Sequence, residues 1–392
     1  MRRGPLSRTA DRGSGFAGFW RLIFFVNVPI GILGVILGSR FLLDYRVDKR
    51  PLFDPLGLVT AVIGFGAVLL AATFAENYGW TGTRTLLAFG IGLLALVVHA
   101  IIELKLVKEP MMKLRLFANP VYLNASLVGY VATVALFGAE FLMPIYLQSF
   151  RGRTALEAGV ILLGVAATSA FATPLAGRLF DKIGPRLIMV FGFSILCVYT
   201  WQLAQLHGTT PIAYIVFLLA LRGLAIGLTL QTSFVTALSS VPLNLLPRAS
   251  SLLNSTRFVV QAVAVASLAT VLVGHLSPEV KAQQAQMQNS SAASTIRFGV
   301  CETPGVAAQE NLPPTVIASL AALSAQEAQA TKARMLVGLQ LVCTESMHGF
   351  DAAYRLTFYA SIGALLLALF LPGWPAKWGG RGSTQAPIPA GH

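Results

Sequence analysis

The feature that most limits what this chain can fold into is the recurrence of sparsely charged apolar runs about 20 residues long. A bilayer core about 30 Å thick is crossed by roughly 20 apolar helical residues at 1.5 Å each. Nine such runs follow one another, at 20–43, 55–74, 86–104, 121–147, 158–176, 187–206, 211–238, 251–275 and 353–371. They are apolar on every face, whereas the strands of a membrane β-barrel alternate polar and apolar positions. Composition agrees: 55% of residues are hydrophobic and 11% charged, against about 25% charged in an ordinary soluble domain. A soluble protein of this make-up has too little polar surface to cover itself. The expected fold class is an all-α multi-pass membrane protein with about nine transmembrane helices.

The 29 Lys and Arg against 16 Asp and Glu leave a net charge of +13. In a soluble chain that excess points to nucleic acid. In a membrane chain it marks cytoplasmic loops, and no nucleic-acid partner is expected. Counting alternate connections from the one after the first run, one side carries Arg46, Lys49, Arg50, Lys105, Lys108, Lys113, Arg115, Arg178, Lys182, Arg186 and Arg248, and the tail adds Lys377 and Arg381. The short connections of the other side carry Arg84, Arg151 and Arg153. The positive-inside rule therefore puts the C-terminus, with tail 373–392, in the cytoplasm. The leader 1–19 contradicts this assignment, because Arg2, Arg3, Arg8 and Arg12 belong on the cytoplasmic side while nine spans put that end outside. It has no apolar core of a signal peptide. The expectation is a chain without its natural N-terminal half, preceded by a non-native or disordered basic leader. A native short N-terminus with the first run lying in the interface is the alternative.

One connection is long. Residues 277–350 fall on the outer side and are rich in Ala, Gln and Ser. Leu320 with Leu323, and Met335 with Leu339, recur at helical spacing, so weakly amphipathic helices and disorder are both open. Cys301 and Cys343 lie in this loop. In an oxidising periplasm they suit a loop-closing disulfide, and two separate thiols are the alternative. Three cysteines without a CxxC or His/Cys cluster imply no metal site. No phosphate loop, nucleophile elbow or cofactor motif is present, so no enzyme and no cofactor are expected.

The most specific string is Gly-Arg-Leu-Phe-Asp-Lys-Ile-Gly-Pro-Arg at 177–186. Gly177 and Gly184 permit a sharp turn and close helix approach, and Asp181 is placed to cap the next helix or pair with Arg178 or Arg186. The string resembles the loop motif G-x-L-x-D-R-x-G-R of the major facilitator superfamily, with Lys182 for the arginine and Arg186 displaced by one position. That resemblance implies a loop gating the cytoplasmic side, with Asp181 in its central acidic role. The run Trp-Arg-Leu-Ile-Phe-Phe-Val-Asn-Val-Pro-Ile-Gly at 20–31 resembles a signature of the fourteen-helix drug/proton antiporters. The runs at 144–148, 158–160 and 222–227 are similar to that branch as well. The resemblance implies that 20–43 is the last helix of an N-terminal half, 44–119 two inserted linker helices, and 120–372 a C-terminal six-helix half.

Charges within spans are costly and are functional candidates by default. Arg222 and Glu140 lie in separate runs, and the resemblance implies that both helices line a central cavity. An acid in an apolar setting holds its proton tightly and a nearby guanidinium opposes this. Such a pair suits loading and release of a proton, and a purely structural ion pair is the alternative. Phe137, Gln148, Gln231 and Gln261 are candidates for a substrate cavity, with helix packing or lipid contact as the plainer role. Phe141, Met143 and Tyr146 add to a greasy surface. His99 and Glu103, one turn apart, are expected to snorkel toward headgroups. Arg257 and Arg355 are expected as interfacial anchors.

Together these features imply an exporter in the bacterial inner membrane that moves small amphipathic, often cationic compounds outward against inward proton flow. Two alternatives stand beside it. One is a truncated, transport-inactive member. The other is a membrane binding partner of an efflux assembly, with a periplasmic adaptor at the outer loop.

Overall fold

In the computed structural model, residues 25, 27–41, 54–107, 112–208, 210–275, 277 and 324–373 are described. The leader, Cys301, the tail beyond 373 and basic residues 46, 49, 50 and 108 lie outside them. The chain divides into two compact units, Met1–Leu52 and Phe53–His392. Of the first, helix α1 (Asn27–Phe41) is described, and none of its side chains is buried. At 15 residues it covers about 22 Å, and the remainder of the expected first span lies outside the described residues.

The second unit holds α2 (Pro55–Tyr78), α3 (Thr83–Ile101), α4 (Pro120–Ile145), α5 (Ala155–Ile183), α6 (Pro185–Leu203), α7 (Ile212–Ser239), α8 (Leu246–Gly274) and α9 (Ala325–Ala368). No strand occurs among the described residues. Seven helices in this unit are long and apolar enough to cross a membrane. Proline opens α2, α4 and α6, where its fixed φ suits the first turn and its missing N–H costs nothing. Side chains take up the free amides that follow: Asp54 accepts from Gly57 N at 2.8 Å and Asn119 from Val121 N at 3.0 Å. Thr154 with Glu157, and Ser324 with Glu327, form capping boxes ahead of α5 and α9.

Helices α4 to α9 form one bundle. α4 packs against α7, α8 and α9; α6 packs against α7 and α9; α5 lies along α7; and the pair α2–α3 leans on α8. Lipid supplies no hydrophobic force between helices, so their association depends on close backbone approach. Two glycines of α7 provide it. A Cβ on Gly223 would collide with Val165 and Thr168 of α5, and one on Gly227 would sit 2.9 Å from Thr173 N. Inside the bundle Tyr122, Tyr146, Tyr199, Tyr354, Phe193 and Phe350 are fully buried, while Phe171, Phe191 and Phe370 face outward. That inversion of surface apolarity is what a lipid-facing bundle requires.

One expected boundary is corrected. The span 158–176 is part of a longer helix, so 177–183 is helical rather than a turn. The break comes at Gly184, with φ +76, followed by Pro185; a left-handed residue and a ring without N–H end α5 where the preceding sequence does not. Within the outer connection 277–350, residues 325–350 are helical and continuous with the last span in the 44-residue α9, one of the two conformations open for that stretch.

Gly223→Ala and Gly227→Ala are expected to destabilise the bundle by about 1–3 kcal/mol through overpacking. Gly177, whose added Cβ would meet nothing within 4 Å, provides the contrast: Gly177→Ala is expected to be neutral or to stabilise α5 by up to about 1 kcal/mol. Thermal unfolding of the three variants in one detergent checks the difference.

Candidate functional site

The α4–α7 crossing brings the two expected charges together. Arg222 stands about ten residues into α7, roughly 15 Å along its axis, with its side chain 3% exposed. One terminal nitrogen donates to Glu140 Oε2 at 3.3 Å and to the Leu136 carbonyl at 3.1 Å. The Glu140 side chain is 60% exposed, so the pair has a buried cationic half and an open acidic half. Pro144 lies inside α4 and lacks the N–H that would bond the carbonyl four residues back. The carbonyl released is that of Glu140 itself, and the helix ends just beyond in a π turn, Tyr146–Phe150.

The pair is surrounded by aromatic side chains that sequence reasoning passed over. Tyr199 of α6 and Tyr354 of α9 are fully buried and close enough to feel the Arg222 charge. Their hydroxyls, and Arg222 Nε, are buried without a hydrogen-bond partner. Four helices therefore meet around one guanidinium. No periodicity marks these tyrosines, because an apolar run hides which of its residues face inward. At the nearby end of the bundle, Tyr146 donates to the His207 carbonyl at 2.8 Å and Arg151 to the Thr210 carbonyl at 2.6 Å.

The other candidates are scattered. Phe137 and Gln261 are half-buried, and Gln148 and Gln231 are exposed. None of the three glutamines is hydrogen-bonded among the described residues, and none of the four lines the apolar crevice between α5 and α7 at Phe171 and Phe217 or the small one where α8 meets α4 and α7. Gln231 is nine residues from Arg222 on the same helix, half a turn out of phase with it. Cys343 is disulfide-bonded and half-buried on α9, Cys197 is free, and the expected partner Cys301 lies outside the described residues.

The motif at 177–186 is arranged differently from its expectation. Asp181 and Arg178 are exposed and make no contact with each other or with Arg186. Asp181 sits within α5, three residues ahead of the turn, so it cannot cap α6, whose N-terminus has no side-chain cap. Arg186 instead donates from Nε to the Leu371 carbonyl at 2.6 Å, fastening the start of α6 to the end of the last helix. His99 and Glu103 depart from expectation too: both are buried, with His99 Nδ1 3.1 Å from Thr60 Oγ1 and Glu103 accepting from Met112 N at 3.0 Å. The partner helix α2 covers them, which one helix read alone does not reveal. Arg257 is not in a first turn, because α8 starts at Leu246 and puts it eleven residues in. Arg355 pairs with Asp351 at 2.8 Å.

Arg186→Ala is expected to cost about 1–3 kcal/mol, the range for a hydrogen bond from a charged donor, and to speed amide exchange at the end of α9. Asp181→Asn is expected to leave exchange there unchanged. Hydrogen-exchange mass spectrometry of both variants checks this.

Comparison with known proteins follows the same outline. Residues 12–265, well over half of the chain, match the family model described as Major Facilitator Superfamily. Over 253 residues the chain is 30% identical to the uncharacterized MFS-type transporter YhcA of Bacillus subtilis, covering 64% of this chain and 47% of that protein. It is 26% identical over 253 residues to the lincomycin resistance protein LmrB of Listeria monocytogenes, covering 64% and 54%. With the multidrug transporter protein MdtP of Bacillus subtilis it shares 30% identity over 224 residues, covering 55% and 41%. The chain thus spans about half the length of the curated relatives it matches. An apolar helical bundle, a charge pair at its centre and a family match over most of the bundle agree: the chain belongs to the Major Facilitator Superfamily.

Proposed function

We propose that the protein is part of a proton-coupled exporter of small amphipathic compounds in the bacterial inner membrane, working by alternating access. The observation that carries this reading is the pair of Arg222 and Glu140 at 3.3 Å across the α4–α7 crossing. A carboxylate open on one side and held by a buried guanidinium on the other is built to exchange that partner for a proton. When Glu140 takes a proton the attraction is lost, Arg222 keeps only the Leu136 carbonyl, and the crossing is free to shift. Relatives named for lincomycin resistance and multidrug transport support drugs as the cargo.

In this reading the end of the bundle bearing Gly184 faces the cytoplasm, consistent with Arg178, Lys182, Arg186 and Arg248 near it. The exposed Arg178 and Asp181 are then the gating contacts, free to meet groups elsewhere in the transporter, while Arg186 anchors the loop. The Cys343 disulfide is assigned to Cys301 on the outer side, and an adaptor protein would meet the long connection there. A second reading has a specific basis: alternating access rocks two halves about one site, and the described residues hold one six-helix bundle and a helix pair. In that reading the described bundle serves as a membrane binding partner of an efflux assembly rather than as a transport unit.

The test is drug-dependent proton release from proteoliposomes holding the protein. Glu140→Gln, which keeps the shape and removes the titrating group, is expected to lower coupled proton release at least about tenfold, within the usual range for loss of one proton-transfer group. Unchanged coupling in the variant removes Glu140 from the mechanism. Proton release absent from the unaltered protein as well favours the second reading.

A further inference from the structure

Arg257 lies near the middle of the apolar stretch Leu243–Leu272, and in the described residues it has neither an ion pair nor a hydrogen bond. The remaining deep charges are accounted for: Arg222 holds Glu140, and Arg355, nearer the surface, holds Asp351. An uncompensated guanidinium at bilayer depth is expensive, and this one is not simply wrapped in lipid. It lines a crevice of about 20 Å³ where α8 meets α4 and α7, together with Tyr130, Ser126, Gly129 and Ser233. Arg257 Nε is buried and unpartnered, and so is the Tyr130 hydroxyl. The hydroxyls nearest to Tyr130 donate elsewhere, Ser126 to the Tyr122 carbonyl at 2.5 Å and Thr256 to the Leu252 carbonyl at 2.9 Å, and offer Tyr130 only their own neutral oxygens. Gly129 keeps α4 close to Ser233 of α7. Two donors, one charged and one neutral, therefore face a gap whose acceptors are hydroxyl oxygens alone, with no anionic group among them. That gap has the volume of one or two oxygen atoms rather than of a whole ligand.

We propose that Arg257 and Tyr130 form an anion-recognising subsite that takes the carboxylate of an amphipathic acid or zwitterion. The proposal rests on the exporter reading above and narrows its substrate class. A carboxylate there receives a charge-assisted bond from the guanidinium and a second bond from the phenol, and the gap takes the carboxylate alone, with the apolar body outside it. Because Glu140 is already paired with Arg222, the net charge presented at this depth is positive. Amphipathic cations are disfavoured at this subsite, contrary to the cationic preference expected from sequence.

The test measures binding of three probes that share one apolar body, 11-(dansylamino)undecanoate, its primary amide and its trimethylammonium analogue, to the protein in zwitterionic nanodiscs. The carboxylate is expected to bind about tenfold or more tightly than the amide, the scale of one charge-assisted hydrogen bond, and the ammonium most weakly. Arg257→Gln should abolish the preference, Arg257→Lys retain part of it, and Tyr130→Phe reduce it several-fold; the last two keep the charge and the ring and guard against misfolding of the first. Equal affinity for all three probes, a preference for the ammonium, or a carboxylate preference unchanged by Arg257→Gln overturns the subsite and leaves the exporter reading standing. No binding of any probe above lipid-only nanodiscs overturns both.

Discussion

A guanidinium buried among apolar helices has to be answered by the structure around it. Arg222 is that group, and the α4–α7 crossing is organised about it, with a backbone carbonyl and a carboxylate drawn to the same nitrogen. The low dielectric that makes each contact strong also makes an unmet charge costly. Loss of the Glu140 contact is therefore an event the bundle must register. In the proposed mechanism, proton exchange at Glu140 would gain its leverage on the helices in this way.

That leverage depends on helices that meet at short range. Gly223 lies next to Arg222 in sequence, and its bare backbone lets α7 seat against α5, while Arg222 reaches α4 on another side. The same few residues of α7 thus carry both the tightest packing and the buried charge. Other polar groups on the bundle are tied to its ends: Asn119 joins the start of α4 to the Ser240 carbonyl at 3.0 Å, and Arg186 joins α6 to α9.

Much of the fold was legible in the sequence because bilayer thickness sets helix length, and uninterrupted apolar runs leave few other readings. The two deep charges were legible for the same reason, since a charge in such a run stands out. The details that depend on a neighbour were not. The burial of His99 follows from α2 lying over it, and the partnerless crevice at Arg257 follows from three helices converging. Tyr199 and Tyr354 look like any aromatic residue in a greasy span until the partners of Arg222 are known. Of the two glycines in the motif at 177–186 that permit a turn, Gly184, followed by Pro185, breaks the helix, while Gly177 lies within α5. Arg257 reads as an interfacial anchor only while the helix is started from hydropathy at 251, which leaves out the polar first turn of α8.

The central claim is that Glu140 and Arg222 are energetically coupled within the bilayer rather than merely adjacent. A double-mutant cycle tests it, using reversible unfolding of the protein in a single bilayer mimic with Glu140→Gln, Arg222→Gln and the double variant. The account predicts that the two losses do not add, with an interaction of about 0.5–1 kcal/mol, the lower part of the range for contacting residues because Glu140 is partly solvated. Losses that sum to within about 0.3 kcal/mol would contradict it.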